Sequence, residues 1–258
     1  MIVRKTAAEI EIMARAGRVV AATLELMESS AREGVTTGEL DVLAEEYIRS
    51  CGGVPTFKGY RGFPGSICAS PNEMIVHGIP GAYRLKGGDL LSVDVGVTLD
   101  GWVGDSAITL PIGRVSDEAL KLIETCKRGL EAAIGQCYAG NRLGDISHAV
   151  QEVVEAEGFG VVRALVGHGV GRSMHEDPQI PNYGQAGRGP KLAPGMVFAI
   201  EPMITAGSYG VRAGDDGWAV YSYDGSMAAH CEHSVAITEG EPRILTLRTA
   251  AARQVATG

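Results

Sequence analysis

The chain has 258 residues, 45% of them hydrophobic, enough for one substantial core, and no linker-like stretch divides it into modules. A net charge of −8 argues against general nucleic-acid affinity, and no apolar run approaches the length of a membrane span, so neither partner is expected. Five cysteines, an odd number without CxxC spacing, read as reduced thiols, and Met1-Ile-Val-Arg-Lys5 leads into a polar helical pattern rather than a signal peptide, so the expected location is cytoplasmic.

Thr6-Ala-Ala-Glu9 is a capping-box pattern, in which the threonine hydroxyl and the glutamate carboxylate each take a free backbone N–H. It opens a helix of roughly 25 residues that stops near Gly34. Thr36-Thr-Gly-Glu39 opens a second, stopping at Gly52-Gly53. Tyr60 and Phe63 follow among Gly59, Gly62, Pro64 and Gly65, which marks a loop, where core packing explains aromatic rings less well. The segment from Asp89 to Leu110 holds two β-rich runs around Asp100-Gly101, a dipeptide that tolerates positive φ and so signals a hairpin. A two-residue turn there pairs residue 96 with residue 105, putting Asp94 and Asp105 on one face, diagonal to each other.

The second half repeats the plan, with a helix after Ser116-Asp117-Glu118, another from about Gly144 to Glu157, and then strands carrying His168, Glu201 and Glu232. Leu85 to Asp94 aligns without a gap with Leu192 to Glu201, an acid closing each segment. That match reads as an internal duplication whose pseudo-twofold brings both acids to the centre, although any two turn-then-strand segments look alike over so short a stretch. The Gly- and Pro-rich stretch from Tyr183 to Pro194 reads as a surface connection.

Two unpaired carboxylates so placed repel, and a cation between them removes the repulsion. Alone, Asp94 and Asp105 read first as edge-strand charge or an acidic surface pair; the rest of the chain reverses this. His168 lies in Val166-Gly-His-Gly-Val-Gly171, where missing Cβ atoms let backbone approach a site. Glu201 closes the apolar run Met196 to Ile200, and Glu232 precedes Val235-Ala-Ile237; a carboxylate embedded in an apolar strand needs a partner. Four carboxylates balance two divalent cations, and His168 adds a neutral nitrogen. So oxygen-rich a set favours manganese, iron, cobalt or magnesium over a thiolate-rich zinc site, and does not rank the metals, zinc and nickel included. Two such ions can share a water and polarise a carbonyl, which points to hydrolysis.

Through Ser66-Ile-Cys68, Val76-His77-Gly-Ile-Pro80, Ser92-Val-Asp94-Val-Gly96, Gly104-Asp105, Gly167-His-Gly-Val-Gly171, Met174-His-Glu-Asp-Pro178, Ile200-Glu-Pro-Met203 and Glu232-His233, the chain resembles type I methionine aminopeptidases over roughly residues 4 to 247. The resemblance implies the pita-bread α/β fold (α+β type), a curved antiparallel β-sheet flanked by helices, with internal pseudo-twofold symmetry and the metal site in its concave centre. It implies one catalytic metallopeptidase domain over residues 1–258, with 249–258 a frayed tail. The implied metal ligands are Asp94, Asp105, His168, Glu201 and Glu232. Glu201 would also carry the proton from the attacking water to the leaving amine. His77 and His175 resemble the family's two non-ligand histidines, His175 near the scissile carbonyl and His77 near the amide nitrogen beyond it.

Tyr60, Phe63, Cys68 and Trp218 match positions of the methionine pocket. Phe57 and Met174 fall at two further pocket positions, where bacterial relatives often carry Cys and Phe; the departure at 57 bears on pocket width, not on the reaction. His230 and His233 flank Glu232, match no family ligand, and read as structural. A nucleophilic role for Cys68 is set aside, since no Cys/His pairing motif surrounds it.

The implied activity is removal of the initiator methionine from nascent proteins whose second residue is small, by attack of a metal-bridging hydroxide on the carbonyl. Only 30 residues separate Glu201 from Glu232, which fits type I rather than the insertion-bearing type II. The expected partners are nascent N-termini, with any transient ribosome contact left to the catalytic domain itself, and the expected state is a monomer. The alternatives are an Xaa-Pro aminopeptidase or prolidase of the same fold and a catalytically inactive pita-bread binding protein. The former normally carry an additional N-terminal domain, for which the residues before Asp94 leave no room, and the latter lose ligands.

Overall fold

The computed structural model describes residues 1–248, so the tail expected over 249–258 lies outside the described residues. Helix α1, Ala7–Ser30, begins where the capping box places it: the Glu9 carboxylate accepts the Thr6 N–H at 2.8 Å, and the Thr6 hydroxyl accepts the Glu9 N–H at 3.3 Å. Helix α2, Thr37–Ser50, repeats the device with Thr36 and Glu39. Helix α3, Asp117–Ile134, starts from the Ser116 hydroxyl, which accepts the Ala119 N–H. Helix α4, Leu143–Ala156, starts from the Asp145 carboxylate, which accepts the Arg142 N–H at 2.7 Å.

The expected hairpin pairs Leu90–Leu99 with Trp102–Pro111. Asp100 and Gly101 both take positive φ, 51° and 75°, as a tight turn between twisted strands requires, and Gly96 pairs with Asp105. Cys68–Pro71 lies on the other side of the Leu90–Leu99 strand, which sets Cys68 directly opposite Asp94. A second sheet runs, in order, Arg243–Ile244, His233–Ala236, Val197–Ile200, Val166–Gly169 and Glu176–Pro181. All strand pairs in both sheets are antiparallel. The two sheets meet beside Asp105: the Glu232 N–H donates to the Ala107 carbonyl at 2.9 Å, and the Ser234 hydroxyl takes the Asp105 N–H while donating to its carbonyl.

Each sheet is backed by its own pair of helices. Leu24 from α1, Leu40 from α2 and Val93 and Leu110 from the hairpin share one apolar cluster; Leu122 from α3, Ile146 from α4 and Phe198 and Val235 from the second sheet share another. Burying each such large side chain contributes roughly 1.5–3 kcal/mol. Helix α1 rests directly on the hairpin, since a Cβ at Gly104 would stand 2.8 Å from the Gly17 backbone nitrogen. The pseudo-twofold read from the two ten-residue segments is matched bond for bond. Leu85 exchanges hydrogen bonds with Gly34 and Val35 just before α2, as Leu192 does with Gly140 and Asn141 just before α4. Gly88 and Gly195 donate to Ile112 and Ile237, which donate in turn to Asp89 and Met196. No helix among the described residues is long and apolar enough to cross a membrane. The Gly- and Pro-rich connection is mostly exposed from Gln185 to Lys191, as expected of a surface loop.

Candidate metal centre

Asp94 and Asp105 come from the two hairpin strands. Asp105 is buried, while Asp94 is half-buried and opens toward the cavity. His168 comes from a strand that fits between its neighbours only because glycine flanks it. A Cβ at Gly167 would lie 2.5 Å from the Ala199 oxygen, and one at Gly169 would lie 2.2 Å from the Asp177 oxygen. Glu201 directly follows Val197–Ile200, where Pro202, lacking an N–H, interrupts pairing. Glu232 sits in the break between Ala228–His230 and His233–Ala236.

These five side chains converge. His168 Nε2 lies 3.4 Å from Glu201 Oε1 and 3.7 Å from Asp105 Oδ2. One donor atom from each of Asp105, His168 and Glu232 falls within 4.8 Å of the others, as a shared ion requires. Among the described residues, Asp94 Oδ1, Asp105 Oδ1 and Glu232 Oε1 are buried without a hydrogen-bond partner. An ionised carboxylate buried in that way is strongly unfavourable unless a cation accompanies it.

The titration behaviour follows. Burial pushes Asp94 up to about 7, and burial followed by repulsion from neighbouring acids pushes Asp105, Glu201 and Glu232 well above the carboxylate range. Burial, then the nearby His175, pushes His168 down to about 4, so its ring is neutral. Its Nδ1–H faces the Gly169 carbonyl at 2.9 Å, which leaves the Nε2 lone pair toward the acids. Four carboxylates and one imidazole nitrogen, with orphaned oxygens, are a donor set that fits divalent cations.

The centre forms the polar wall of a cavity of about 290 Å³, and every residue expected at the metal or the substrate lines it. Phe63 and Trp218 meet edge to face at 5.1 Å, and Phe57 covers Gly96, where a Cβ would come within 2.7 Å of its ring. Cys68 and Met174 complete an apolar slot. Burial, then Asp94 and Asp105, holds the Cys68 thiol well above its ordinary range, so it stays protonated and is a poor nucleophile. The Tyr60 hydroxyl lies 2.9 Å from His175 Nδ1, and the His175 ring centroid stands 4.2 Å from that of His168. Desolvation lowers both His77 and His175, with Arg61 a further cause for His175.

Sequence reasoning missed Arg61, Leu165 and Met203 in the cavity wall. The two apolar residues carried no signal separating them from core; Arg61 did, being an exposed charge inside the glycine-rich aromatic loop. The structure also gives His230 a position that a purely structural reading overlooked. Its Nε2 stands 3.8 Å from Glu201 Oε2 and 3.9 Å from Glu232 Oε2. The two-residue spacing from Glu232 was the available clue, because alternate strand residues share a face. His233, by contrast, is held by Thr246 at 2.9 Å.

The chain matches metallopeptidase family M24 over residues 11–239 and belongs to that family. The methionine aminopeptidase of Clostridium acetobutylicum is 52% identical over 248 residues, 96% of this chain and 99% of its own length. Methionine aminopeptidase 1 of Bacillus subtilis is likewise 52% identical, over 95% of this chain and 99% of its own. The crystal structure of methionine aminopeptidase from Thermotoga maritima matches with a TM-score of 0.94 at 44% identity, covering 95% of this chain and 99% of that one. The prolidase of Pyrococcus furiosus shares the fold alone, with a TM-score of 0.74 at 20% identity, and this chain covers 65% of it.

Proposed function

We propose that this chain is a methionine aminopeptidase that removes the N-terminal initiator methionine from nascent polypeptides with a small second residue. The observation that carries the reading is the buried acid–histidine cluster forming the polar wall of a cavity of about 290 Å³ whose remaining lining is an apolar, ring-lined slot. Near-full-length similarity to methionine aminopeptidases supports it. The five converging side chains, Asp94, Asp105, His168, Glu201 and Glu232, would hold two divalent cations, whose four positive charges match the four carboxylates. Cobalt, manganese, iron, zinc or nickel would suit the donors. Bound there, the ions supply Lewis acidity and an activated water for peptide hydrolysis.

The remaining work falls to the chain's own groups. Phe57, Phe63, Cys68, Met174 and Trp218 surround the methionine side chain and bind its thioether by dispersion and sulfur–ring contact. His175, held at Nδ1 by the Tyr60 hydroxyl, turns its other nitrogen to the scissile carbonyl oxygen; His77 faces the leaving amide nitrogen. Glu201 accepts the proton of the attacking water and delivers it to the leaving amine. The enzyme acts in the cytoplasm as a single catalytic domain and a monomer, and any ribosome contact uses that domain's surface.

The test is release of free methionine from Met-Ala-Ser and Met-Leu-Ser by metal-stripped protein reloaded with each metal in turn. Cleavage of Met-Ala-Ser alone is the expected result. Preferential cleavage of Xaa-Pro peptides would transfer the assignment to the prolidase branch, and no cleavage despite bound metal would mark an inactive scaffold.

A further inference from the structure

His230 is 1% exposed and its backbone is locked on both sides: its N–H donates to Thr109 Oγ1 at 2.8 Å, and the Thr109 hydroxyl donates to its carbonyl at 2.8 Å. The ring lies outside the lining of the cavity, behind Glu201 and Glu232. Its Nε2 is buried and has no hydrogen-bond partner among the described residues; Glu201 Oε2 at 3.8 Å and Glu232 Oε2 at 3.9 Å are the facing acceptors. The two oxygens of Glu201 are thereby divided, Oε1 toward His168 and Oε2 toward His230. A neutral imidazole has one N–H to offer, and a carboxylate closes a gap of that size by a small rotation of its last torsion.

We infer that His230 is a positioning residue of the metal centre, donating its Nε2–H to the outer oxygens of Glu201 and Glu232 and so turning their inner oxygens toward the cations. The inference rests on the metal-centre reading above. Groups that hydrogen-bond to ligating carboxylates set ligand orientation, and losing one typically weakens metal affinity 10- to 100-fold. His230 is no ligand in this arrangement, so a residue that keeps an N–H at similar reach replaces it, whereas an apolar residue of similar volume does not.

The experiment titrates Co²⁺ and Mn²⁺ into metal-stripped wild type, His230→Gln and His230→Leu by calorimetry, with the visible absorption of the cobalt forms recorded alongside. His230→Leu is expected to bind about 10- to 100-fold more weakly, while His230→Gln stays within about threefold of wild type and keeps its cobalt spectrum. At saturating metal, His230→Leu lowers kcat on Met-Ala-Ser with KM unchanged. Wild-type affinity in a folded His230→Leu overturns the inference. So does equal weakening in both variants with an altered cobalt spectrum, which would make His230 a ligand. Absence of metal binding in wild type would instead defeat the metal-centre reading. If His230→Leu does not fold, His230→Met supplies the same comparison.

Discussion

The two halves deliver acids to one centre by different means. In the first, Asp94 and Asp105 belong to a single hairpin closed by Asp100-Gly101, so eleven positions of chain and one turn settle their geometry. In the second, Val197–Ile200 pairs with His233–Ala236 across the intervening strands Met203–Thr205, Val211–Ala213, Val220–Ser222 and Ala228–His230. Glu201 and Glu232 therefore sit at strand ends, beside a proline and in a break, and their positions depend on contacts distant in sequence. The same helix-backed sheet can thus be completed locally or non-locally, and the non-local half carries the larger loop-closure cost before its contacts form.

The largest effect expected is in the local half. Asp105→Ala should abolish methionine release and sharply lower bound metal while leaving the hairpin folded, checked by metal analysis and circular dichroism; retained activity would remove Asp105 from the centre. His77→Ala, outside the ligand set, should lower kcat about 100-fold with metal content intact. Metal loss in that variant would mean its place in the site was misjudged. In the non-local half, Gly169→Ala drives a Cβ to within 2.2 Å of the Asp177 oxygen and should destabilise the protein by about 1–3 kcal/mol, read by denaturant unfolding. A change below that range would show that the His168 strand yields more readily than its glycines imply.

A pH series tests both halves at once. Carboxyl groups raised in the folded state stabilise the metal-free protein below their unfolded values, near 4, and that stabilisation is lost as pH rises through the folded values, about 7 for Asp94. The buried histidines His168, His230 and His233, lowered in the folded state, contribute the opposite slope. The quantity to read is therefore the gap in melting temperature between metal-free and metal-loaded protein, which should widen between about pH 4 and pH 7 as the acids exchange their protons for the cations. A gap independent of pH would show that the acids ionise without a cation. The smallest effect belongs to the slot: Phe57→Cys, next to Gly96, should change KM for Met-Ala-Ser by a few fold and leave kcat nearly unchanged, since pocket width bears on binding rather than on the reacting groups.

Much of this was legible beforehand. The capping boxes at Thr6 and Thr36 and the Gly96–Asp105 register are local chemistry, and each appears where its residues require. The paired Leu85 and Leu192 segments were legible as a repeated pattern, although the bonds that match them run to Gly34 and Val35 and to Gly140 and Asn141. The glycines around His168 announced a close approach without saying to what, and the approach proved to be to the Ala199 and Asp177 carbonyls. Arg61 and His230 each left a clue, a charge inside the aromatic loop and a two-residue spacing from Glu232, but too weak a one to act on, because an arginine in a loop and a histidine in a strand have many ordinary uses.

By itself the sequence determined which segments become helices, where the hairpin turns, and which acids and histidines were available for a metal site, because caps, turns and strand alternation are decided within a few residues. Only the tertiary structure decided that Glu201 and Glu232 face Asp94 and Asp105 across one cavity, and that His230 stands 3.8 Å behind Glu201. Those placements follow from pairing between distant strands, and burial, mutual repulsion and unmet hydrogen bonds arise only once that pairing is made.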